Sequence, residues 1–231
     1  IVYQFAGVRP LPASDDSFTG RIPRDHFCKK IEGSEHRPPV FCLVGGKWTT
    51  FRSFGELAAN DVLQHLGRSR LVSTADRAIG GGADYPSDVG TWVRHHSQEI
   101  GIERNQFEIL QSRYGTTATE VGRYLMAGED KSLPAPASSY SRRELQYLIE
   151  REEVEHLADL LIRRTTIAIN GQLSEDVVNS ALEVLSQAKD WDATRTHKEK
   201  QEFIAFLSER HGVDLSSAEP NLTVNGAFYA H

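Results

Sequence analysis

The chain has 231 residues, of which 39% are hydrophobic and 25% are charged, and its formal net charge is −6. These proportions are ordinary for a globular protein, and the length is enough for one or two domains with a real core. The negative charge argues against a general nucleic-acid-binding surface, because Lys and Arg would have to dominate one face. No apolar run approaches the ~18 residues that a membrane-spanning helix needs.

Short β-rich runs, separated by clusters of Pro, Gly, Ser and Asp, occupy the first part of the chain. They predict strands over residues 1–5, 27–31 and 40–44. Cys28 and Cys42 lie in neighbouring predicted strands without zinc-binding spacing, and we expect them to stay reduced. From Thr49 the period becomes helical, with an apolar face from Phe54 to Leu66 and a stop at Gly67.

The remainder of the chain has the hydrophobic period of helices. We predict helices over residues 87–99, 104–113, 117–127, 142–151, 154–164, 175–188 and 197–210. Ser141 and Ser174 are placed as N-caps, and Gly101, Gly128 and Gly212 follow helices as C-caps should. The predicted fold class is α+β, with one domain over residues 1–70 and an all-helical C-terminal domain over residues 71–231. A sheet of about three strands cannot bury both faces alone, so we expect the β part to be less stable.

The segment FCLVGGKWTTFRS, residues 41–53, combines a strand, a Gly turn and a helix N-terminus. This geometry presents free backbone N–H donors to an anionic or electron-rich group. Gly45 and Gly46 permit close approach, and Lys47 adds a positive charge. It is not a phosphate-binding P-loop, because Phe41 stands where the first Gly belongs and Trp48 follows the lysine. A strand–turn–helix without any ligand is the alternative interpretation.

The segments AGVRPL (6–11), RIPRDH (21–26) and GGKWTTFRS (45–53) follow one another in the first part of the chain. In this order they resemble the substrate and flavin segments of the FAD-dependent glycerol-3-phosphate dehydrogenases, the quinone-linked or mitochondrial-type enzymes. RYGTTA (113–118), HLADLLIRRTTIAI (156–169), GQLSED (171–176) and WDATRT (191–196) are similar to their helical C-terminal domain. The resemblance covers nearly the whole chain. It implies that residues 1–70 are a small β remnant of an FAD- and substrate-binding α/β domain.

The resemblance assigns the substrate to two arginines and catalysis to one of them together with a lysine. Arg9 corresponds to the family's substrate arginine, and Arg24 corresponds to a second arginine on the substrate phosphate. A guanidinium holds a phosphate or a developing alkoxide through two parallel N–H bonds and keeps its charge. Arg9 and Lys47 are the implied catalytic residues. Without the resemblance, Arg9, Arg24 and Lys47 are each interpreted as an exposed surface cation.

The same resemblance assigns flavin contacts to the Gly loop. Gly45, Gly46, Lys47 and Thr49 are the implied cofactor-binding residues. Lys47 would lie near the flavin pyrimidine edge, where a cation favours the anionic reduced flavin. The helix N-terminus at Thr49 would direct its positive end to the same edge, although plain N-capping is the alternative. Phe51 stands where many family members have Tyr, and we expect it to face the core with little effect.

The implied reaction is hydride transfer from C2 of sn-glycerol 3-phosphate to FAD, which gives dihydroxyacetone phosphate, with electrons passing to a membrane quinone. The nucleotide-binding GxGxxG fingerprint is missing from the sequence, so we expect a fragment that is inactive and flavin-poor alone. By resemblance alone, the full-length enzyme is cytoplasmic, peripheral to the inner membrane and a homodimer. A glycerophosphate oxidase that uses oxygen, or a non-catalytic helical interaction module, remains open.

Other suggestive residues are interpreted as structural. Adjacent helical residues point about 100° apart, so we expect His95 and His96 to be surface histidines that share no site, and we predict no metal site. Glu153 and His156 form a single Glu-x-x-His, which we interpret as a salt-bridged helix face, because a di-iron bundle needs two. The triple glycine at 80–82 is followed by a turn and is interpreted as a connecting strap.

Overall fold

The computed structural model of the protein describes residues 3–7, 25–45 and 47–215. The chain divides into two compact units, Ala6–Ile79 and Gly80–His231, the second of which also takes in Ile1–Phe5. The predicted α+β class is confirmed. The domain boundary that the sequence places after residue 70 stays a prediction.

The described elements follow one another as two strands and then seven α-helices. They are β1 (His26–Ile31), β2 (Val40–Gly45), α1 (Phe51–His65), α2 (Val89–Ile100), α3 (Arg104–Tyr114), α4 (Ala118–Met126), α5 (Arg142–Arg151), α6 (Glu175–Ala188) and α7 (Ala193–His211). Within the described residues, no helix combines the length and apolar character needed to cross a bilayer.

The first unit is a β-hairpin against one helix. β1 and β2 pair antiparallel, with His26 opposite Gly45 and Ile31 opposite Val40. The described residues hold two strands rather than the predicted three. α1 contacts the hairpin through ring pairs such as His26 and Phe54, whose centroids are 4.9 Å apart. None of the described residues from 25 to 79 is fully buried, because a two-stranded sheet and one helix are too small to enclose a core.

The second unit is all-helical and contains the hydrophobic core. Its largest fully buried side chains include Phe107, Leu145, Leu157, Leu185 and Leu207, which come from both halves of the unit. The capping prediction is confirmed at four positions. The hydroxyls of Ser141 and Ser174 accept backbone N–H groups at the starts of α5 and α6, and Gly101 and Gly212 end α2 and α7 in the left-handed conformation.

Two predicted elements are wrong. Residues 3–5 form no strand; instead Gln4 N–H donates to the carbonyl of His211 (3.1 Å), and the Tyr3 ring stacks on the His211 ring at 4.5 Å. The helix predicted over 154–164 is a π-helix over Asp159–Arg164. The Asp159 carboxylate accepts the N–H groups of Glu155 and His156 (3.0 and 2.9 Å), which caps the chain there and delays the helix start.

The apolar stripe of that segment is part of the core: Val154, Leu157, Leu160 and Leu161 are fully buried.

The triple glycine forms a 3-10 turn packed against the bend between α3 and α4. A Cβ on Gly81 would lie 1.8 Å from the carbonyl oxygen of Tyr114, and one on Gly115 would lie 2.3 Å from the carbonyl oxygen of Gly81. The Thr116 hydroxyl holds this contact by donating to the carbonyls of Gly81 (3.0 Å) and Ala83 (2.7 Å). The strap interpretation therefore has a physical reason: two backbones approach too closely for side chains.

Candidate functional site

The candidate loop begins where β2 ends, at Gly45. This glycine has a φ of +79° and stands opposite His26 in the hairpin. A Cβ at this position would lie 2.2 Å from the carbonyl oxygen of Asp25. Both the positive φ and the close approach require glycine at position 45.

Lys47 and the residues after it form a single 3-10 turn, Trp48–Thr50, that runs into α1. Lys47 has extended backbone, with φ −114° and ψ 157°. The Thr50 hydroxyl accepts the Lys47 N–H and donates to the Lys47 carbonyl, each at 3.0 Å. Lys47 and Thr49 are exposed, and Trp48 is 94% exposed. The turn thus presents a lysine and a helix N-terminus on an open face.

The start of α1 is braced by residues that the sequence analysis did not single out. The Arg52 guanidinium donates to the carbonyls of Thr74 and Arg77, the latter at 2.6 Å. Glu56 accepts the N–H of Thr74 at 3.1 Å, and it also contacts the Thr74 hydroxyl and Arg70. Hydrogen bonds from Thr74, and then the Arg70 contact, lower the pKa of Glu56. No local pattern signals these contacts, because the partners lie about twenty residues further along the chain.

Phe51 corrects one expectation. It is 59% exposed rather than turned into a core, because it opens α1 in a unit without a fully buried interior. With Gly55, Ala59 and Ile79 it lines a shallow cavity of about 280 Å³.

Three of the predicted site residues lie outside the described residues: Arg9, Arg24 and Gly46. The structure brings Gly45, Lys47 and Thr49 together on one loop. The assigned substrate and flavin roles of all six stay predictions.

The helical unit contains a buried ionic cluster that the sequence analysis also missed. The Glu144 side chain is 2% exposed and accepts from Arg113 at 2.9 Å and from the Tyr114 hydroxyl at 2.8 Å. Burial raises the pKa of Glu144, against the opposing effect of Arg113 and Tyr114. Arg113 also lies over the Tyr140 ring, 3.4 Å from its centroid. The cluster joins α3 to α5 inside the unit, and we therefore interpret it as structural.

The structure bears on two expectations about histidines, the ion pair of His156 and the separation of His95 from His96. His156 lies in an ion pair as predicted, but its partner is Glu199 of α7 at 3.0 Å rather than Glu153. The expectation that His95 and His96 share no site stays a prediction, although the two side chains lie closer together than their 100° separation on a helix suggests. Their ring centroids are 4.9 Å apart, and a nitrogen of each lies near the same Glu99 oxygen, at 3.9 and 2.9 Å.

The loop geometry fits the flavin that the sequence resemblance implies. The Asp25 carbonyl of the hairpin occupies the space beside Gly45, so the fit rests on the exposed lysine and the helix N-terminus, which supply positive electrostatic potential. An electron-rich ring edge that gains negative charge on reduction is a ligand of the matching kind.

Comparison with known proteins finds several glycerol-3-phosphate dehydrogenases that are similar to this chain. A probable glycerol-3-phosphate dehydrogenase of Encephalitozoon cuniculi is 29% identical over 215 residues, 91% of this chain and 33% of the relative. Glycerol-3-phosphate dehydrogenase 2 of Mycobacterium tuberculosis is 26% identical over 94% of this chain and 36% of the relative. The mitochondrial glycerol-3-phosphate dehydrogenase of Bos taurus is 27% identical over 95% and 30%. The chain thus spans about a third of the length of these relatives.

A solved structure shares the fold. The X-ray structure of the glycerol-3-phosphate dehydrogenase from Bacillus halodurans, complexed with FAD, superposes with a TM-score of 0.59 at 21% identity. The match covers 74% of this chain and 38% of that one. Residues 72–196 match the model of the family described as the C-terminal domain of alpha-glycerophosphate oxidase. This match spans more than half of the chain, and the chain therefore belongs to that family.

Proposed function

We propose that this chain is the C-terminal part of an FAD-dependent glycerol-3-phosphate dehydrogenase. The observation that carries the proposal is the loop from Gly45 to Thr49, a sterically required glycine followed by an exposed lysine and a helix N-terminus. The names of its relatives and its membership of the oxidase C-terminal family support the same activity.

In this proposal some residues bind the substrate and others bind the cofactor. Arg9 and Arg24 bind the phosphate of glycerol 3-phosphate, since two guanidinium groups match its double charge. Gly45, Gly46 and Thr49 offer backbone to the flavin. Bound FAD would supply the acceptor for the hydride from C2 of the substrate, while the proton of the C2 hydroxyl would be released to solvent. Lys47 stabilises the negative charge that develops in this step.

The electron acceptor and cellular setting belong to the proposal as well. Electrons pass to a membrane quinone, and the full-length enzyme is a cytoplasmic homodimer peripheral to the inner membrane. The chain alone is inactive and binds little flavin, because the dinucleotide fingerprint is missing from its sequence.

The test uses the protein expressed from its complete reading frame, as wild type, Lys47→Ala and Lys29→Ala. Lys29 is an exposed lysine of β1 outside the loop and serves as the matched control. We expect all three to bind flavin, and Lys47→Ala to lower kcat by about 100-fold together with the flavin reduction potential. A full-length protein without flavin would favour the non-catalytic helical module. Equal potentials and kcat in the two variants would remove Lys47 from the site.

Oxygen is the second candidate acceptor, because the matching family is described by an oxidase. Stoichiometric hydrogen peroxide formation during glycerol 3-phosphate oxidation, without stimulation by a quinone analogue, would establish the oxidase.

A further inference from the structure

The C-terminal half of α2 gathers three metal-ligating side chains on one surface of the helical unit. The ligand atoms of His95, His96 and Glu99 all lie within 4.8 Å of one another. His96 Nδ1 is 2.9 Å and His95 Nε2 is 3.9 Å from Glu99 Oε2. In the part of the chain that the structure describes, no other three His, Cys, Asp or Glu side chains come together in this way.

We propose that His95, His96 and Glu99 bind a zinc ion. Zinc bonds imidazole nitrogen and carboxylate oxygen at about 2.0–2.2 Å, so ligand atoms around a tetrahedral ion lie about 3.3 Å apart. The two distances to Glu99 Oε2 bracket that value, and rotation of the exposed His95 side chain would bring its nitrogen onto the same ion as the other two ligand atoms. Three protein ligands leave the fourth position for water. Zinc suits this mixture of nitrogen and oxygen donors better than magnesium or calcium, which prefer oxygen alone.

The surroundings of Glu99 affect cation binding in two opposite ways. Glu99 stands one residue before the end of α2, where the helix carbonyls supply partial negative charge. Arg123 donates to Glu99 Oε1 at 2.8 Å, which fixes the carboxylate and leaves Oε2 toward the histidines. Outer contacts of this kind orient metal ligands, but the arginine also places a positive charge beside the ion. Arg123 should therefore weaken zinc binding electrostatically.

One ligand ring is held in place by packing. The Trp92 ring lies against the His96 ring, with centroids 4.5 Å apart, and Trp92 also stacks on the fully buried Phe107 at 5.6 Å. The His96 side chain is 22% exposed, against 70% for His95. The site thus combines one imidazole held by ring packing, one imidazole exposed to solvent, and a carboxylate oriented by an arginine.

The experiment is titration calorimetry of the chain with zinc chloride in a non-coordinating buffer. All variants carry Cys28→Ser and Cys42→Ser, because these free cysteines on paired strands are competing ligands. We expect one zinc per chain. His95→Ala and Glu99→Gln should each weaken binding about tenfold or more, since even outer-shell partners contribute that much.

Two controls separate ligation from structural damage. His197→Ala removes an exposed histidine of α7 and should leave zinc affinity unchanged. Arg123→Gln breaks the same ion pair that Glu99→Gln breaks but keeps every ligand, and it should bind zinc at least as tightly as wild type. The proposal is overturned if zinc does not bind at millimolar concentration, if His95→Ala and Glu99→Gln bind normally, or if Arg123→Gln loses affinity as Glu99→Gln does.

Discussion

Glu199 is the residue whose removal should most clearly weaken the helical unit. It lies on α7 with its side chain 3% exposed. Its Oε1 accepts the N–H of Leu157 at 2.8 Å, and its Oε2 accepts from His156 at 3.0 Å and Arg195 at 2.7 Å. One carboxylate therefore ties α7 to the buried segment that precedes the π-helix.

The contacts set the expected size of the effect. Glu199→Ala leaves the Leu157 N–H without its acceptor, and an unsatisfied buried donor costs roughly 1–3 kcal/mol. The two side-chain partners, His156 and Arg195, are 58% and 33% exposed and regain water, so their loss adds only about 0.5–1 kcal/mol. We expect the free energy of unfolding to fall by about 2–4 kcal/mol in Glu199→Ala. Glu199→Gln keeps an acceptor for Leu157 and should cost about 1–2 kcal/mol.

Urea unfolding followed by far-ultraviolet circular dichroism measures these differences, and hydrogen exchange at the Leu157 amide locates them. The matched control is Glu202→Gln on the same helix, whose side chain is 55% exposed and lies 3.6 Å from Lys198. The control should stay within about 0.5 kcal/mol of wild type. If Glu199→Ala were as stable as the control, or if exchange at Leu157 did not change, the assigned role of the carboxylate would be refuted.

The pH dependence gives a second readout of the same residue. Burial acts to raise the pKa of Glu199, but hydrogen bonds from His156, the Leu157 N–H and Arg195 outweigh it and hold the pKa below its ordinary value of 4.5. A carboxyl with a lowered folded-state pKa stabilises the fold above its unfolded pKa, and this contribution is lost as pH falls through the folded value. The contribution of the Glu199 carboxylate to the stability difference between wild type and Glu199→Gln should therefore shrink as pH falls below 4.5.

Two further predictions concern the strap and the two units. In urea unfolding, Gly81→Ala should lower the free energy of unfolding by about 1–3 kcal/mol through overpacking. The control Gly82→Ala should be nearly neutral, because no atom lies within 4 Å of the added Cβ. In hydrogen exchange of the chain, amides of residues 25–79 should be less protected than those of the helices within 93–207, because none of the described residues of the first range is fully buried. Equal protection in both ranges would contradict this.

Local signals explain which helices the sequence predicts well. α5 and α6 have the predicted bounds, 142–151 and 175–188, because a serine cap and an apolar period mark each of them within a few residues. α7 begins at Ala193 rather than at 197, because Asp192 caps it by accepting the N–H of Arg195 at 2.7 Å, a signal that the sequence analysis passed over.

Contacts between distant residues explain the failures. Residues 3–5 have strand composition, yet their partner is His211 at the end of α7, more than 200 residues away. The segment from 154 has helical period, but its first residues are held by Asp159 and by Glu199 from another helix. For the candidate loop, the sequence predicts the glycine turn, since positive φ at Gly45 is a local requirement. The bracing of α1 by Arg52 and Glu56 depends on residues 70–77 and has no local signature.

The most direct test of the proposed function is steady-state oxidation of glycerol 3-phosphate with a dye acceptor by the protein expressed from its complete reading frame. Arg9→Ala is compared with Arg21→Ala, a nearby arginine that matches the family pattern less well. We expect kcat/KM to fall by about 100-fold or more in Arg9→Ala, whereas its flavin content should stay normal. The activity of Arg21→Ala should also stay normal. Activity absent from the flavin-bound wild type, or equal activity in both variants, would contradict the assigned substrate site.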